Sequence, residues 1–338
     1  MTRERRGSPR GVVSKSSAES WQIPNQRPAT TCVAVGHVTH DWYPDGGGGG
    51  QGRALPGGCA YYAVQVWKHL GSCARLVTSV GRNFAFCGAL EGVSLAGRGG
   101  LRTTAFYNHY PHGAPRQQWV RAQAPRIQPT WAPASFLEAE VVFLAPVLGE
   151  VSFTQWVWRA RSRGRLLGVG LQGFLKGVEA RGAAGAIERR GAREPERRAG
   201  RVVGCPGAFP GRALELADVV FLSQEDLQEG PPAMMETLRS AVPVVVKTLG
   251  RKGAAVYAEG RTFHVGIYET SEVVDPTGAG DTFAAAFLLA LSWGATPMAA
   301  ARLGSAASSI IIEGQGAEAC HRLQEAFERY GSVSTSQG

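Results

Sequence analysis

From Thr31 onward, short runs of β-branched and apolar residues alternate with stretches of helical period. This alternation restricts the chain to an α/β fold with a doubly wound, mainly parallel sheet and helices on both faces. Strands are predicted at Cys32–Gly36, Arg75–Ser79, Val141–Ala145, Leu166–Val169, Val219–Leu222 and Val244–Thr248. Helices are predicted near Ala60–Leu70, Val151–Arg163 and Ala233–Ser240, with two long ones toward the C-terminus. Pro243 sits just ahead of a strand, where its missing N–H costs no interior ladder bond. No motif repeats with a period of 20–50 residues, which excludes a solenoid.

Two segments break the alternation. Residues 39–55 are turn-rich and include the run Gly46–Gly50, while Arg102–Tyr110 and Gln117–Ala122 read as a pair of exposed strands. Together they predict a small β-stranded lid at about 39–55 and 100–123, since segments that close over a substrate come from the less stable parts of a fold. Residues 177–213 read as an Arg-rich surface excursion. Residues 1–30 read as a disordered basic leader, 31–326 as one domain and 327–338 as a flexible tail. A chain of 338 residues with 44% hydrophobic content can build that domain around its own core.

The chain carries 36 Lys and Arg against 27 Asp and Glu, a formal net charge of +9 that would by itself suggest nucleic acid. The excess is local. Residues 1–30 hold six basic and two acidic side chains, and residues 176–201 hold eight Lys or Arg against four Glu, so the body is nearly neutral. Both stretches read as solvated segments, with no nucleic-acid partner expected. The N-terminus lacks the apolar stretch of a signal peptide and no run of about 18 apolar residues occurs, so a cytoplasmic protein without a membrane partner is expected. Cys32, Cys59, Cys73, Cys87, Cys205 and Cys320 form no C-x-x-C pair and read as reduced, mostly packing residues. Trp156 and Trp158 read as helix packing, His109 and His112 as lid-surface residues without a metal spacing. Neither a P-loop nor a Rossmann fingerprint is present.

The chemistry concentrates in Asp275-Pro276-Thr277-Gly278-Ala279-Gly280-Asp281-Thr282, followed by the apolar helical run Phe283–Trp293. Small residues just before a helix let backbone N–H groups converge where the positive end of the helix dipole also points, which makes an anion hole. Asp281, in the first turn, is placed to take a proton from a hydroxyl attacking a phosphoryl group held there. The same residues also suit a plain capped helix in which Asp281 offsets the dipole.

The octad resembles the signature of the PfkB-type carbohydrate kinases, which have a ribokinase-like fold, and the resemblance extends over about residues 31–318. Pro56-Gly57-Gly58-Cys59-Ala60-Tyr61, with Leu70-Gly71 beyond, is similar to the family's Gly-Gly signature against the sugar. Asp41, in Val38-Thr39-His40-Asp41, stands as the early aspartate that binds substrate hydroxyls. Lys247-Thr248-Leu249-Gly250-Arg251-Lys252-Gly253 is similar to the strand and glycine turn that accepts the nucleotide. The resemblance implies a kinase that transfers the ATP γ-phosphoryl group to a hydroxyl of a small polyol or sugar. Asp281 would be the general base, and the amides of Gly278, Ala279 and Gly280 would stabilise the transferring charge. Asp41, Gly57, Gly58 and Cys59 would bind substrate, and Lys247, Thr248, Gly250, Gly253 and Lys176 would bind ATP, with a solvated lysine as the other reading of Lys176. Mg²⁺ would come with ATP and be met through water by Asp226, while Asp275 and Thr277 would hold a monovalent cation such as K⁺.

Departures from the pattern bear on metal and substrate. Ser223-Gln224-Glu225-Asp226 stands where the family has Asn-x-x-Glu, so acidity survives on a shorter arm, and a surface aspartate is the other reading of Asp226. Cys59 replaces an Asn common in sugar kinases and weakens ribose-like recognition. Gly170–Lys176, Thr103-Thr104-x-Phe106 and Ile312–Gly316 look closest to the branch containing plant myo-inositol kinase. The order of expected substrates is therefore myo-inositol or another polyol, then a simple sugar, then a nucleoside. The rival from another class is a non-catalytic sugar- or nucleotide-binding protein on the same fold. The family's use of lid strands for pairing implies a homodimer through the lid.

Overall fold

The apolar runs become strands because both of their faces are covered. In chain order the strands are β1 (Thr31–Val35), β2 (Thr39–Tyr43), β3 (Arg53–Gly57), β4 (Cys73–Thr78), β5 (Ser94–Gly97), β6 (Thr104–His109), β7 (Gln117–Ala122) and β8 (Val141–Leu144). They continue with β9 (Leu166–Gly170), β10 (Lys176–Val178), β11 (Gly200–Gly204), β12 (Val219–Ser223), β13 (Val244–Thr248), β14 (Ala254–Ala258) and β15 (Arg261–Val265). This computed structural model describes residues 21–43, 52–109, 117–161, 165–179, 200–205 and 209–332. The larger sheet has the order β15-β14-β13-β12-β9-β8-β1-β4-β5. It is parallel from β13 to β5, whereas β14 and β15 add on as an antiparallel hairpin at one edge. Every residue of β8 is buried, the mark of a parallel strand between two helical layers.

The helices are α1 (Cys59–His69), α2 (Phe153–Arg161), α3 (Gln224–Glu229), α4 (Met234–Ala241), α5 (Ala279–Ser292), α6 (Pro297–Ile311) and α7 (Glu325–Ser332). On one face of the sheet α1, α5, α6 and α7 share the largest core cluster, and on the other α2 and α4 share the second. In α5, Thr282–Leu291 are buried without a break, as in a helix enclosed on all sides. It seats closely on the sheet because Gly168 of β9 has no side chain: a Cβ there would lie 2.5 Å from Leu288 Cδ1.

The second sheet is built from the segments expected to form a lid, and it is wider than the sequence suggested. Its order is β10-β11-β7-β6-β2-β3. Strands β2, β3, β6 and β7 come from the expected segments, but β10 and β11, the two ends of the Arg-rich excursion, join through β11–β7 pairing. Short, half-exposed strands flanked by glycine carry no alternation to reveal them. The excursion at 177–213 is thus partly lid. Gly46–Gly50, most of the Arg-rich loop and His112 lie outside the described residues, and His109 ends β6 half-buried.

Both expected domain boundaries move outward. The Trp21 ring meets Tyr330 edge-on at 5.8 Å, Tyr330 Oη donates to the Trp21 carbonyl at 3.2 Å, and the Arg27 guanidinium lies 4.2 Å from the Phe327 ring centre. Residues 21–30 and 327–332 therefore pack on the domain, while 1–20 and 333–338 lie outside the described residues. All six cysteines are free, but only Cys32, Cys59 and Cys320 are buried, so half rather than most are packing residues. Trp156 is buried with Nε1 donating to Ile127 O, whereas Trp158 is 69% exposed and does not pack. No helix of the described residues is long and apolar enough to cross a membrane.

Candidate active site

The N-terminus of α5 forms the centre of the site. Gly278 caps it in the left-handed region, with φ 81°, and its carbonyl accepts the first helical bond from Thr282 N at 2.8 Å. The next amides face the open end of the helix, where no intrahelical acceptor is available. Ala279 N–H reaches back to Pro276 O at 3.3 Å, a long bond that an incoming anion can displace. Glycine is required at 278 for a second reason: a Cβ would lie 2.3 Å from Tyr62 Cε1. The turn therefore rests on the ring of Tyr62, a side chain only 2% exposed.

Around that turn the structure gathers carboxylates from both ends of the chain. The thiol of Cys59 donates to Asp281; burial first, and Asp281 next, push it well above the usual cysteine range. Tyr62, one turn further along α1, has its phenol raised by burial and then by Tyr43, Asp41, Asp275 and Asp281. Asp41 is 8% exposed, and its Oδ1 accepts from Thr39 Oγ1 at 2.7 Å. Gly57 makes room for it, since a Cβ there would lie 2.4 Å from Asp41 Oδ2. Gly58 then opens α1. Asp41, Gly57, Gly58, Cys59, Gly278, Ala279, Gly280 and Asp281 are thus brought to one place. The arrangement holds an acidic base beside a positive helix end, which suits proton removal from a hydroxyl next to a bound anion.

Asp275 ties two loops together: Oδ1 accepts from Thr277 N at 2.9 Å and Oδ2 from Gly316 N at 3.0 Å, while Val274 N and Asp275 N donate to Ile312 O. A monovalent cation here would share oxygens already serving backbone donors. Asp226 is not a surface residue, being 3% exposed. It forms a capping box on α3, with Ser223 N donating to Asp226 Oδ2 at 2.6 Å and Asp226 N donating to Ser223 Oγ at 3.1 Å. Burial raises its pKa, and the Ser223 bonds and the Lys176 ammonium pull it back. Lys176 is therefore beside Asp226, at the start of β10. No group of three or more His, Cys, Asp or Glu among the described residues could hold a metal ion. Ser223→Ala should lower unfolding stability by about 1 kcal/mol, the usual worth of an N-cap. Urea denaturation checks this, and an unchanged midpoint would show that the box contributes nothing.

Lys247 and Thr248 end β13, where Thr248 is in register with Ser223. The following turn Gly250–Lys252 closes by Leu249 N→Gly253 O at 2.8 Å and Gly253 N→Gly250 O at 3.0 Å. This places the expected donor turn next to the Asp226 cap, on the same edge of the sheet.

Three residues of the site went unnoticed in the sequence. Tyr62 is one, although its i,i+3 spacing from Cys59 was a readable sign of a shared helix face. Glu150 is wholly buried and accepts N–H bonds from His37 at 2.9 Å, Val147 at 2.9 Å and Leu148 at 2.8 Å, which fixes the loop after β8 to the end of β1. His37 bridges the lid roots, with Nε2 on Pro125 O at 2.9 Å and Nδ1 on Thr104 Oγ1 at 2.8 Å. Since Pro125 O only accepts, Nε2 carries the proton and Nδ1 accepts from the hydroxyl.

Residues 204–323 match the pfkB family carbohydrate kinases. The chain is 37% identical over 94 residues to the inositol 3-kinase of Zea mays, covering 28% of this chain and 24% of that protein. Such matches span only about a quarter to a third of the curated relatives, with 27%, 35% and 24% of their lengths covered. The whole fold superposes on a pyrophosphate-dependent kinase of the ribokinase family complexed with a pyrophosphate analog and myo-inositol, with a TM-score of 0.70. That pair is 19% identical, over 87% of this chain and 99% of the other. Arabidopsis thaliana ribokinase complexed with ribose and ATP gives 0.66 at 19% identity, over 89% and 99%. The chain has the ribokinase fold, and its residues 204–323 are similar to the pfkB family carbohydrate kinases.

Proposed function

We propose that the protein transfers a phosphoryl group from ATP to a hydroxyl of a small polyol or sugar, with a myo-inositol-like acceptor favoured. One observation carries the reading: Gly278, at the N-terminus of α5, packs on the Tyr62 ring, and Asp41 of β2 and Asp281 of α5 both lie near enough to raise that phenol. In this reading the acceptor hydroxyl lies between the two aspartates. Asp41 orients it, Asp281 takes its proton, and the Gly278–Gly280 amides hold the charge that gathers on the transferring group. Lid closure excludes water, which competes as acceptor. Lys247, Thr248, Gly250, Gly253 and Lys176 hold the donor. Mg²⁺, when bound, neutralises donor phosphate charge, and Asp275 and Thr277 keep a K⁺-type cation near the anion hole. The cytoplasm remains the compartment expected in this reading.

The lid supports a homodimer. Trp42, Tyr107 and Trp119 form a row across β2, β6 and β7 on the face opposite Asp41, with the Arg121 guanidinium 5.2 Å from the Trp42 ring. Pyrophosphate is the second reading for the donor, because the solved structure with myo-inositol is of a pyrophosphate-dependent enzyme. The test is phosphate transfer from Mg²⁺-loaded ATP or pyrophosphate, in K⁺, to a panel of cyclitols, linear polyols, pentoses, hexoses and nucleosides. One strong acceptor is expected among the polyols and sugars. Donor binding without transfer to any acceptor would turn the reading toward a binding protein.

A further inference from the structure

Strand β3, at the edge of the second sheet, is tied across the molecule to the segment that follows α6. Arg53 Nη1 donates to Gln315 Oε1 at 2.7 Å and Nη2 donates to Glu318 Oε1 at 2.9 Å, joining residues 262 and 265 positions apart. Both arms of one guanidinium fork are used, a geometry that lysine cannot reproduce. The Arg53 and Glu318 side chains are 57% and 56% exposed, so the pair adds little to stability and is readily broken by water and salt. A contact of that kind suits a reversible latch better than a structural staple.

The two ends of the contact lead to opposite halves of the proposed site. On β3, Arg53 and Leu55 share one face, and Leu55 lies opposite Asp41 of β2 in register, so this is the face that carries the acceptor aspartate. On the body, Gln315 and Glu318 flank Gly316, whose N–H donates to Asp275 Oδ2 at 3.0 Å. Asp275 Oδ1 in turn accepts from Thr277 N, at the root of the anion-hole turn. The receiving segment is held firmly, because just ahead of it the buried side chain of Glu313 is gripped by Arg322 at 2.8 Å and Arg329 at 3.0 Å. Leu55 reaches the same spot: a Cβ on Gly316 would lie 3.2 Å from Leu55 Cδ1.

We infer that Arg53 is a positioning residue: it latches the second sheet, closed over the acceptor, to the loop that orients the anion-hole turn, so that acceptor and donor bind with positive coupling. Movement of β3 is passed through Gly316 and Asp275 to the turn at Gly278. Without the latch each site still forms, but binding at one no longer arranges the other in advance. The inference rests on the proposed kinase reading and adds to it a route by which the two substrates sense each other.

Isothermal titration of Mg²⁺-loaded AMP-PNP into the full chain, with and without saturating acceptor, tests it. The acceptor is myo-inositol, or the best acceptor of the panel where that differs. The parent should bind the analogue roughly 3- to 10-fold more tightly when acceptor is present, a ratio that shrinks as salt rises. Arg53→Ala should bring the ratio to about 1 and raise the acceptor KM by a similar factor, while kcat with both substrates saturating stays within about twofold. Arg53→Lys should restore part of the coupling, and Glu318→Arg should restore what Arg53→Glu abolishes, because the pair re-forms in reverse. A purely structural contact would lower Tm and leave the ratio intact, whereas loss of the latch leaves Tm near the parent's. The inference is overturned, with the kinase reading standing, if the parent shows no coupling or Arg53→Ala keeps the parent's ratio. It is overturned together with that reading if the parent phosphorylates no polyol or sugar.

Discussion

Asp281→Asn should lower kcat by roughly 10²–10⁴-fold, the usual worth of a positioned general base, while donor and acceptor still bind. Asparagine keeps the shape and can still accept from the Cys59 thiol, so the loss isolates proton removal. A second readout follows from the same geometry. Asp281 is among the charges that hold the Cys59 thiol above its usual range, so the variant should move the Cys59 pKa down, as titrated by the pH dependence of alkylation. Single-turnover kinetics at saturating acceptor checks the first effect. A rate within threefold of the parent would remove Asp281 from the role of base and leave the helix-capping account, in which its charge only offsets the dipole.

How much of this was legible depends on where each feature is encoded. Glycines that the backbone demands are visible in the sequence, and so Gly57, Gly58 and Gly278 marked the site. The parallel strands were visible as unbroken apolar runs such as Val219–Leu222. The hairpin of β14 and β15 was not, since both strands are short and three of the five residues of the edge strand β15 face solvent. Partnerships across the fold were also hidden. Cys59 could be seen as a departure from Asn, but not as a donor to Asp281, because only packing of α1 against α5 joins them. Tyr62 is buried within reach of Asp41, Asp275 and Asp281, and only its i,i+3 spacing from Cys59 distinguishes it locally from the neighbouring Tyr61. Asp226 shows a different failure. Reading Ser223–Asp226 as a divergent metal motif obscured a local signal, the Ser-x-x-Asp spacing of a capping box, which is how the structure uses it.

Gly278→Ala should abolish most activity through the backbone alone. The added methyl meets two independent obstacles: φ at 278 is 81°, a region costing an L-residue about 1–2 kcal/mol, and its Cβ would fall 2.3 Å from Tyr62 Cε1. Tyr62 cannot retreat easily, since it is wholly enclosed in the core of α1 and its neighbours. Either the turn moves, and the amides no longer converge on the anion, or Tyr62 moves, and the surroundings of Asp41 and Asp275 move with it. Loss of one such donor is worth about 10²–10³ in kcat, and a fall in Tm should accompany it. Tyr62→Leu in the same chain separates the two obstacles, because it relieves the clash but not the left-handed φ. If contact dominates, the double variant regains much of the activity lost by Gly278→Ala alone. If backbone conformation dominates, the two losses add. A Gly278→Ala enzyme with parental kcat and Tm would mean that the turn is neither strained nor catalytic, and the anion hole would have to be sought elsewhere on the lid-facing edge of the sheet.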